Sequence, residues 1–279
     1  MKDLNNKVAV ITGASAGIGR CIAMALAREG CQVVVVARRQ QELDRVVAEI
    51  RAEGGRASAM AADLQVPQAI RDTMTAIEQT VGPIDILVNN VGAGTFKPLH
   101  VISDAECDLS IQLPYVAAMT ATHAVVKGMV KRRSGHIVNM TSPAGIFPLP
   151  FMVPYTAGRH AMVGMSHALY EELTRFGIGV SLVCPAQVNT GYFESNDADM
   201  SWYPKISSIF PVLEPEMVAD AVVDAIRHDR REVVLPAVLK AIVAAFRKTP
   251  RMSVHLLSAI GLWGPGRTIT DKTGGDPTP

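Results

Sequence analysis

The chain has 279 residues, of which 48% are hydrophobic and 19% charged, which is enough apolar material for one large α/β domain. Its 27 Lys and Arg residues balance 26 Asp and Glu residues, so no net field attracts nucleic acid, and no nucleic-acid partner is predicted. The cysteines, Cys21, Cys31, Cys107 and Cys184, form no Cys-x-x-Cys pair and no cluster with metal-ligand spacing, so no metal site is predicted.

The N-terminal sequence MKDLNN contains no apolar signal core before the first predicted strand. No run in the chain reaches the roughly 18 apolar residues that are needed to span a bilayer. We therefore expect a cytoplasmic protein without a transmembrane segment.

Short apolar runs alternate with amphipathic stretches through most of the chain. The apolar runs predict strands at residues 7–12, 32–37, 57–61, 85–89, 136–140 and 179–184. The stretches with helical spacing predict helices at residues 18–26, 41–52, 66–81, 104–131, 155–176 and 214–226. This alternation is typical of an α/β fold with a doubly wound parallel sheet, a Rossmann-like arrangement.

The chain divides into three predicted parts. Residues 1–235 form the sheet domain, residues 236–269 form a C-terminal helical extension, and residues 270–279 form a polar tail that we expect to be disordered. Within the extension, apolar patterns predict helices at 237–247 and 254–263. The extension could cover a substrate cleft, form a subunit contact or rest peripherally on a membrane surface, in that order of preference.

The turn between the first predicted strand and the first helix has the sequence TGASAGIG. Glycine permits a tight turn and lets the backbone approach a pyrophosphate, while the helix N-terminus supplies free N–H groups and the positive end of its dipole. A strand, a glycine-rich turn and a helix in this order are the context that a dinucleotide site requires, although G-x-x-x-G-x-G is not the common spacing. The binding candidates in this turn are Gly13, Ser15, Ala16, Gly17, Ile18 and Gly19.

The second predicted strand ends in Ala37-Arg38-Arg39. An NAD site usually places Asp or Glu there to bind the adenosine ribose hydroxyls. Two guanidiniums instead suit a 2′-phosphate, because each can form bidentate hydrogen bonds with it. Arg38 and Arg39 therefore favour NADP(H) over NAD(H), with a solvated basic turn as the alternative.

Tyr155 and Arg159 stand four residues apart on a predicted helix, so their side chains share one face about a turn apart. A fixed positive charge at that distance stabilises a phenolate, so the tyrosine can donate or accept a proton near neutral pH. The pair is therefore a candidate acid/base group.

Taken together, these motifs resemble the short-chain dehydrogenase/reductase family over residues from about 4 to about 230. The matching residues are the glycine turn, Asp63-Leu64, Asn89-Asn90-Val91-Gly92, Ser142, Tyr155 and the sequence PAQVNT at 185–190. The resemblance implies an NADP(H)-dependent oxidoreductase that interconverts a ketone or aldehyde and an alcohol. It implies that Ser142 binds the substrate carbonyl, that Tyr155 supplies the proton and that Arg159 positions the nicotinamide ribose.

The resemblance also implies how the remaining motifs hold the cofactor. Asp63 and Leu64 would lie at the adenine, and Asn90 and Gly92 at the central strand and the adenosine ribose. The residues that would surround the nicotinamide carboxamide are Pro185, Val188 and Thr190.

The family usually has Gly in place of Ala186 and Ala in place of Val91, which are modest additions of bulk beside the cofactor. Two larger departures lie in the proton relay, where the family usually has Lys in place of Arg159 and Asn in place of Gln112. Arginine keeps the charge, but its planar fork is larger and differently aimed. We hypothesise that Pro114, which removes a helix hydrogen bond, distorts the helix and that Gln112 reaches Arg159 or a water bound to it. The paired change indicates either a reductase with a re-tuned proton relay or a fold that has lost or changed its reaction.

Apolar and aromatic residues are concentrated in residues 192–212 and in the loop between Ser142 and Tyr155. They predict an apolar small-molecule carbonyl or alcohol substrate, with simple packing of the loops as the alternative. By resemblance, the helices at 104–131 and 155–176 form a dimer face, so we expect a homodimer or homotetramer. The alternatives to an oxidoreductase are an isomerase or dehydratase on the same fold, and a cofactor-binding scaffold or sensor without catalysis.

Overall fold

The computed structural model describes residues 1–196, 198–259 and 261–264, and a parallel β-sheet forms its centre. The strands are β1 Val8–Thr12, β2 Gln32–Ala37, β3 Arg56–Ala61, β4 Ile86–Asn89, β5 Gly135–Met140, β6 Ile178–Pro185 and β7 Glu232–Leu235. They lie in the order β3-β2-β1-β4-β5-β6-β7, and every neighbouring pair is parallel. The predicted doubly wound sheet in a single α/β domain is therefore confirmed.

Helices cover both faces of this sheet. The α-helices of the described residues are α1 Gly17–Arg28, α2 Gln40–Ala52, α3 Pro67–Thr80, α4 Asp104–Ile111, α5 Ala117–Arg132, α6 Val153–Leu173, α7 Tyr192–Ser195, α8 Pro215–His228, α9 Ala237–Lys248 and α10 Pro250–Ala259. Helices α1, α2 and α8 pack on one face, and α3, α5 and α6 pack on the other. Because both faces are covered, the strands are apolar throughout rather than alternating, as in the fully buried segment Val33–Val36 of β2.

The strand order reverses between β1 and β4, since β2 and β3 extend to one side and β5 to β7 to the other. In sheets of this type the connections leave on opposite faces at such a point, which opens a crevice at the carboxyl ends of the strands. The fold therefore places a ligand site at the ends of β1, β4 and β5.

All six predicted strands agree with the structure to within one residue at each end. The edge strand β7 was not predicted. It is only four residues long and begins with the charged Glu232, and of its residues only Val234 is buried, so it lacks the longer apolar pattern of the inner strands. The predicted helix at 254–263 was also misplaced, because α10 begins at Pro250 and ends at Ala259.

The predicted helix at 104–131 is not continuous. A π-helical turn, Gln112–Val116, separates α4 from α5, and in it the N–H of Ala117 donates to the carbonyl of Gln112, five residues back. Pro114 has no N–H and cannot bond the carbonyl of Ser110, four residues back, which removes the regular α-helical bond at this place. The predicted distortion at Pro114 is confirmed.

The whole stretch Asp104–Arg132 is long and apolar enough to cross a membrane by length and composition alone, with a mean hydropathy of 1.2 in its best window. In the fold, 44% of that window is buried, and Val125 and Met129 belong to the core beneath the sheet. This is the packing of a core helix, and no second stretch of the described residues meets the same criteria.

The C-terminal extension packs against the carboxyl edge of the sheet. Leu239, Val243 and Phe246 of α9 are buried, and the Phe246 ring lies 4.8 Å from that of Phe147. Trp263 approaches the same Phe147 ring at 6.2 Å. The first helix of the extension therefore supports an aromatic residue of the sheet domain, whereas the predicted disordered tail at 270–279 lies outside the described residues.

Candidate active site

A cavity of about 440 Å³ opens at the carboxyl ends of the central strands. Most of the site residues predicted from the sequence line it, namely Gly13, Ser15, Ala16, Gly17, Ile18, Gly19, Arg38, Arg39, Leu64, Asn90, Gly92, Ser142, Tyr155, Arg159, Pro185, Val188 and Thr190. Asp63 and Gln112 do not line it. One continuous cavity thus joins the glycine turn to the candidate acid/base pair.

The glycine turn has the geometry of an anion cradle. Gly13 and Gly17 have φ angles of 67° and 54°, in the left-handed region that favours glycine. A Cβ atom on Gly19 would lie 2.4 Å from the carbonyl oxygen of Gly13, so only glycine allows this close approach. No side chain caps the N-terminus of α1, so its first N–H groups stay available for a phosphate. The turn fits the pyrophosphate of a dinucleotide.

Asn90 fastens this turn to the end of β4. Its amide nitrogen donates to the carbonyls of Thr12 and Gly13 at 3.0 and 3.2 Å. The Thr12 hydroxyl in turn donates to the Val88 carbonyl at 3.2 Å and accepts from the N–H of Asn90 at 3.0 Å. Asn90 therefore fixes the shape of the cradle from the neighbouring strand.

The side chains at the ends of β2 and β3 define the outer part of the cavity. Arg38 and Arg39 are exposed, and neither forms an ion pair with any residue in the described part of the chain. Asp63 is exposed beyond the lining, where it accepts a hydrogen bond from the N–H of Gln65 at 3.0 Å, and Leu64 is buried beside it. The outer cavity therefore presents free guanidiniums to a ligand.

Ser142 and Tyr155 face the inner part of the cavity. The Ser142 oxygen accepts a hydrogen bond from the N–H of Ala144 at 3.1 Å, which leaves its own hydroxyl hydrogen for a ligand. Tyr155 is only 7% exposed, and the edge of its ring packs against Phe96 with the centroids 5.3 Å apart. The two hydroxyls predicted to handle a substrate oxygen therefore line the same wall.

Arg159 lies directly against the Tyr155 ring. Its guanidinium carbon is 5.0 Å from the ring centroid, and its Nη1 atom donates to the Met140 carbonyl at 3.2 Å. Its Nε atom is buried and meets no hydrogen-bond partner among the described residues. Burial alone would lower the pKa of Arg159, but the hydroxyls of Tyr155 and Tyr192 raise that pKa above its usual range. Arg159 is therefore a permanent cation whose buried Nε donor is free for a ligand.

The prediction that Gln112 reaches Arg159 is wrong. Its amide nitrogen donates instead to the carbonyl of Gln65 at 2.9 Å, in the loop after β3. A π-helical turn carries an extra residue and changes the direction of the side chains that follow, compared with a regular helix. The distortion that Pro114 introduces therefore places Gln112 against this loop and leaves Arg159 without it.

The segment after β6 closes the cavity opposite the glycine turn. Pro185 ends the strand, and Val188 pairs with Leu213 in an isolated parallel bridge. The side chain of Thr190 lies 3.2 Å from where a Cβ atom on Gly17 would be, so the two loops meet closely. The predicted carboxamide-binding residues are thus held within reach of the cradle.

Sequence reasoning missed Phe96, whose ring packs against Tyr155, and two further residues of this site. A Cβ atom on Gly94 would lie 2.1 Å from Cδ2 of Tyr155, so this glycine makes room for the ring. Tyr192 brings a second phenol into the cavity beside Tyr155 and Arg159. The repeated glycine in NNVGAG was a signal for Gly94, whereas Tyr192 stood in a loop noted only for its apolar composition.

The inner cavity is walled by apolar side chains, all of which except Phe96 belong to the apolar loops predicted from the sequence. The wall consists of Phe96, Phe147, Leu149, Met152, Phe193, Ile206 and Phe210. The only charged side chains among the described lining residues are those of Arg38, Arg39 and Arg159. No group of three or more His, Cys, Asp or Glu side chains that could hold a metal ion occurs in the described part of the chain.

Comparison with known proteins agrees with this architecture. A family model described as "short chain dehydrogenase" matches residues 7–201. The ketoacyl reductase HetN of a Nostoc species is 35% identical over 239 residues, which is 84% of this chain and 80% of the relative.

Solved structures of similar proteins carry both forms of the nicotinamide cofactor. A metagenomic short-chain oxidoreductase in complex with NADP has 33% sequence identity and a TM-score of 0.71, covering 84% of this chain and 96% of its own. A Burkholderia phymatum short-chain dehydrogenase/reductase in complex with NAD has 26% identity and a TM-score of 0.81, covering 90% and 96%.

Proposed function

Because the chain belongs to the short-chain dehydrogenase family, we propose that it is an NADP(H)-dependent oxidoreductase that interconverts a ketone or aldehyde and an alcohol on an apolar small molecule. The observation that carries this proposal is the placement of Ser142, Tyr155 and Arg159 on the inner wall of the cavity that the glycine turn opens. A nicotinamide cofactor, when bound, supplies the hydride that a carbonyl carbon accepts.

The residues of this chain supply the remaining chemistry. In reduction, the Ser142 hydroxyl donates a hydrogen bond to the carbonyl oxygen and orients it. Tyr155 transfers its phenolic proton to that oxygen, and the buried Arg159 stabilises the phenolate that remains. Oxidation of the alcohol uses the same groups in reverse, with the phenolate as the base.

The preference for NADP(H) rests on the end of β2. Arg38 and Arg39 are exposed at the cavity, and no acidic side chain occupies the position that would bind a ribose 2′-hydroxyl. Two guanidiniums can form charge-assisted hydrogen bonds with a 2′-phosphate, each worth about 1.5–3 kcal/mol.

The substrate class rests on the inner wall. With Phe96, Phe147 and Phe193 around the catalytic pair and no carboxylate among the described lining residues, an apolar substrate is favoured over a charged one. By the same family relationship, we propose a homodimer or homotetramer. We also propose a cytoplasmic location.

The test is turnover by the purified full chain with a panel of apolar ketones and aldehydes, followed by cofactor absorbance. We expect oxidation of NADPH in preference to NADH. In Tyr155→Phe we expect the rate to fall by about 100- to 10 000-fold, because general acid catalysis is lost. NADPH binding, measured separately by fluorescence, should remain. Tight binding of NADPH with no turnover of any substrate would contradict the proposal.

That negative result would support a second candidate, a cofactor-binding protein without redox turnover. The observation that favours it is the position of Gln112, whose amide bonds Gln65 instead of supporting Arg159. The turnover panel and the binding measurement together separate the two functions.

A further inference from the structure

Tyr192 brings a second phenolic hydroxyl to the catalytic wall. It is the first residue of α7 and lines the cavity together with Tyr155 and Arg159. Although the residue as a whole keeps some exposure, its hydroxyl oxygen is buried and meets no hydrogen-bond partner among the described residues. The hydroxyl is close enough to Tyr155 and Arg159 to interact with both. A charged acceptor that forms beside such a buried hydroxyl would be stabilised by it.

A set of hydrogen bonds holds Tyr192 in this position. Its N–H donates to the Thr190 hydroxyl at 3.3 Å, and its carbonyl accepts from the amide of Asn196 at 2.7 Å. The Asn196 side-chain oxygen accepts from the N–H of Gly94 at 3.2 Å. The Tyr155 ring packs against Gly94. The positions of Tyr155 and Tyr192 are therefore both fixed relative to the backbone at Gly94.

The electrostatics of the wall determine which tyrosine keeps its proton. Burial raises the pKa of Tyr192 well above its usual range, and a negative charge on Tyr155 raises it further, although Arg159 opposes both effects. Tyr192 therefore stays protonated when Tyr155 is ionised. A neutral phenol beside a phenolate is a hydrogen-bond donor of the strong, charge-assisted kind.

We propose that Tyr192 is a positioning residue for the proton transfer, whose hydroxyl donates a hydrogen bond to the Tyr155 oxygen when that oxygen is a phenolate. In reduction, the O–H bond of Tyr155 breaks, the new O–H bond forms on the substrate, and a proton from water later restores Tyr155. Tyr192 keeps its own proton throughout. This inference rests on the proposed function. It assigns to Tyr192 a hydrogen bond to the acid/base pair, which Gln112 does not contact because its amide bonds Gln65.

The variant Tyr192→Phe removes the hydroxyl and keeps the ring. A hydrogen bond to a charged group contributes enough to shift ionisation by about one to two pH units. For alcohol oxidation, which needs the phenolate, we expect the rising limb of the pH–kcat profile to move up by that amount. At neutral pH, kcat should fall by about tenfold or more, with little change in KM.

A second readout uses the protein without cofactor or substrate. Tyrosine ionisation can be followed by ultraviolet absorbance in wild type, Tyr155→Phe and Tyr192→Phe. The ionisation that disappears in Tyr155→Phe should occur at higher pH in Tyr192→Phe. If wild type turns over no carbonyl, the proposed function fails while this titration still decides the role of Tyr192.

Tyr170→Phe is the matched control. Tyr170 lies about four helical turns further along α6, where its ring packs on the guanidinium of Arg231 at 4.5 Å. Loss of its hydroxyl should change neither the pH profile nor the Tyr155-dependent ionisation. The inference is overturned if Tyr192→Phe also changes neither, or if it raises kcat and tightens NADPH binding, which would make the hydroxyl an obstruction.

Discussion

A guanidinium buried against a phenol ring needs a compensating charge or dipole, and Arg159 has few within reach. It is 5% exposed, and the groups that raise its pKa are the phenols Tyr155 and Tyr192 rather than a carboxylate. Leaving a buried cation unpaired costs several kcal/mol. The arrangement therefore favours states in which negative charge develops beside Arg159, and the phenolate of Tyr155 is such a state.

Arg159→Lys tests whether the site depends on the guanidinium or only on its charge. The lysine ammonium is a compact donor and cannot both bond the Met140 carbonyl and contact the Tyr155 ring, as the larger guanidinium does. We expect kcat to fall by about tenfold, which corresponds to one lost hydrogen bond of about 1.4 kcal/mol. Steady-state kinetics with NADPH would measure it.

Arg159→Met serves as the companion variant, since it keeps a long side chain without the charge. Its kcat should fall at least another tenfold below that of Arg159→Lys if charge matters in addition to geometry. If Arg159→Lys is faster than wild type, arginine hinders this reaction. If Arg159→Lys and Arg159→Met have equal rates, the positive charge makes no contribution to kcat.

At the level of single residues, the sequence predicted contacts that local spacing determines. Tyr155 and Arg159 meet because helical geometry places residues four apart on one face. Gln112 was misjudged because its direction depends on how the π-helical turn ends and on a loop 47 residues away in the chain. The contact of Gly94 with the Tyr155 ring likewise depends on how two distant segments pack, which no local pattern encodes.

At the scale of elements, the π-helical turn and helix α6 are adjusted to each other. Gly158 of α6 lies so close to α4 that a Cβ atom there would be 2.4 Å from the Ser110 carbonyl oxygen and 3.2 Å from Cγ of Pro114. Ser110 is also the residue whose carbonyl loses its regular donor at Pro114. The close approach at Gly158 thus positions the helix that carries both Tyr155 and Arg159.

Gly158→Ala should therefore lower the stability of the fold. The neighbouring atom is a backbone oxygen that cannot rotate away, so the helices must separate, and overpacking of this kind costs about 1–3 kcal/mol. Gly164→Ala on the same helix is the control, because a Cβ atom there has no neighbour within 4 Å among the described residues. Chemical denaturation should show a loss for the first variant and a gain of up to about 1 kcal/mol for the second. An equal gain in both would contradict the close packing.

The elements themselves were predictable to different degrees. Inner strands such as β2 are short, apolar and bounded by turns, so both their existence and their ends followed from the sequence. β7 was missed because a four-residue edge strand that begins with a charged residue does not show that pattern. The break between α4 and α5 was anticipated only because Pro114 cannot donate a backbone hydrogen bond.

At the scale of the whole molecule, the glycine cradle and the apolar wall of the cavity lie at the same edge of the sheet. The strand reversal at β1 and β4 supplies the cradle, while the segments after β5 and β6, backed by α9, supply the apolar wall. The opposite region of β5 and β6 carries a buried titratable group instead. His136 is 1% exposed and bonds the Ser181 hydroxyl at 2.9 Å.

His136 should make the stability of the fold depend on pH. Burial lowers its pKa to about 3, and the half-exposed Asp229, 3.9 Å away, is too well solvated to reverse this. The unfolded chain, with an ordinary histidine pKa near 6.5, then binds more protons than the folded one between about pH 6.5 and pH 3. His136 thus contributes stability that is fully present above about pH 6.5 and is lost as the pH falls, by about 1.4 kcal/mol per pH unit.

Between about pH 6.5 and pH 4.5 this effect is separated from ordinary carboxylates, which titrate mainly below that window. The less buried His167, whose pKa is also lowered by burial, adds a slope of the same sign. Urea unfolding of wild type across that window should show the decline, and His136→Gln should reduce its slope even if its stability at neutral pH is lower, leaving the part that His167 contributes. His123→Gln, at an exposed position on α5, should leave the slope unchanged. A slope that is as steep in His136→Gln as in wild type would mean that the acid sensitivity of the fold arises elsewhere.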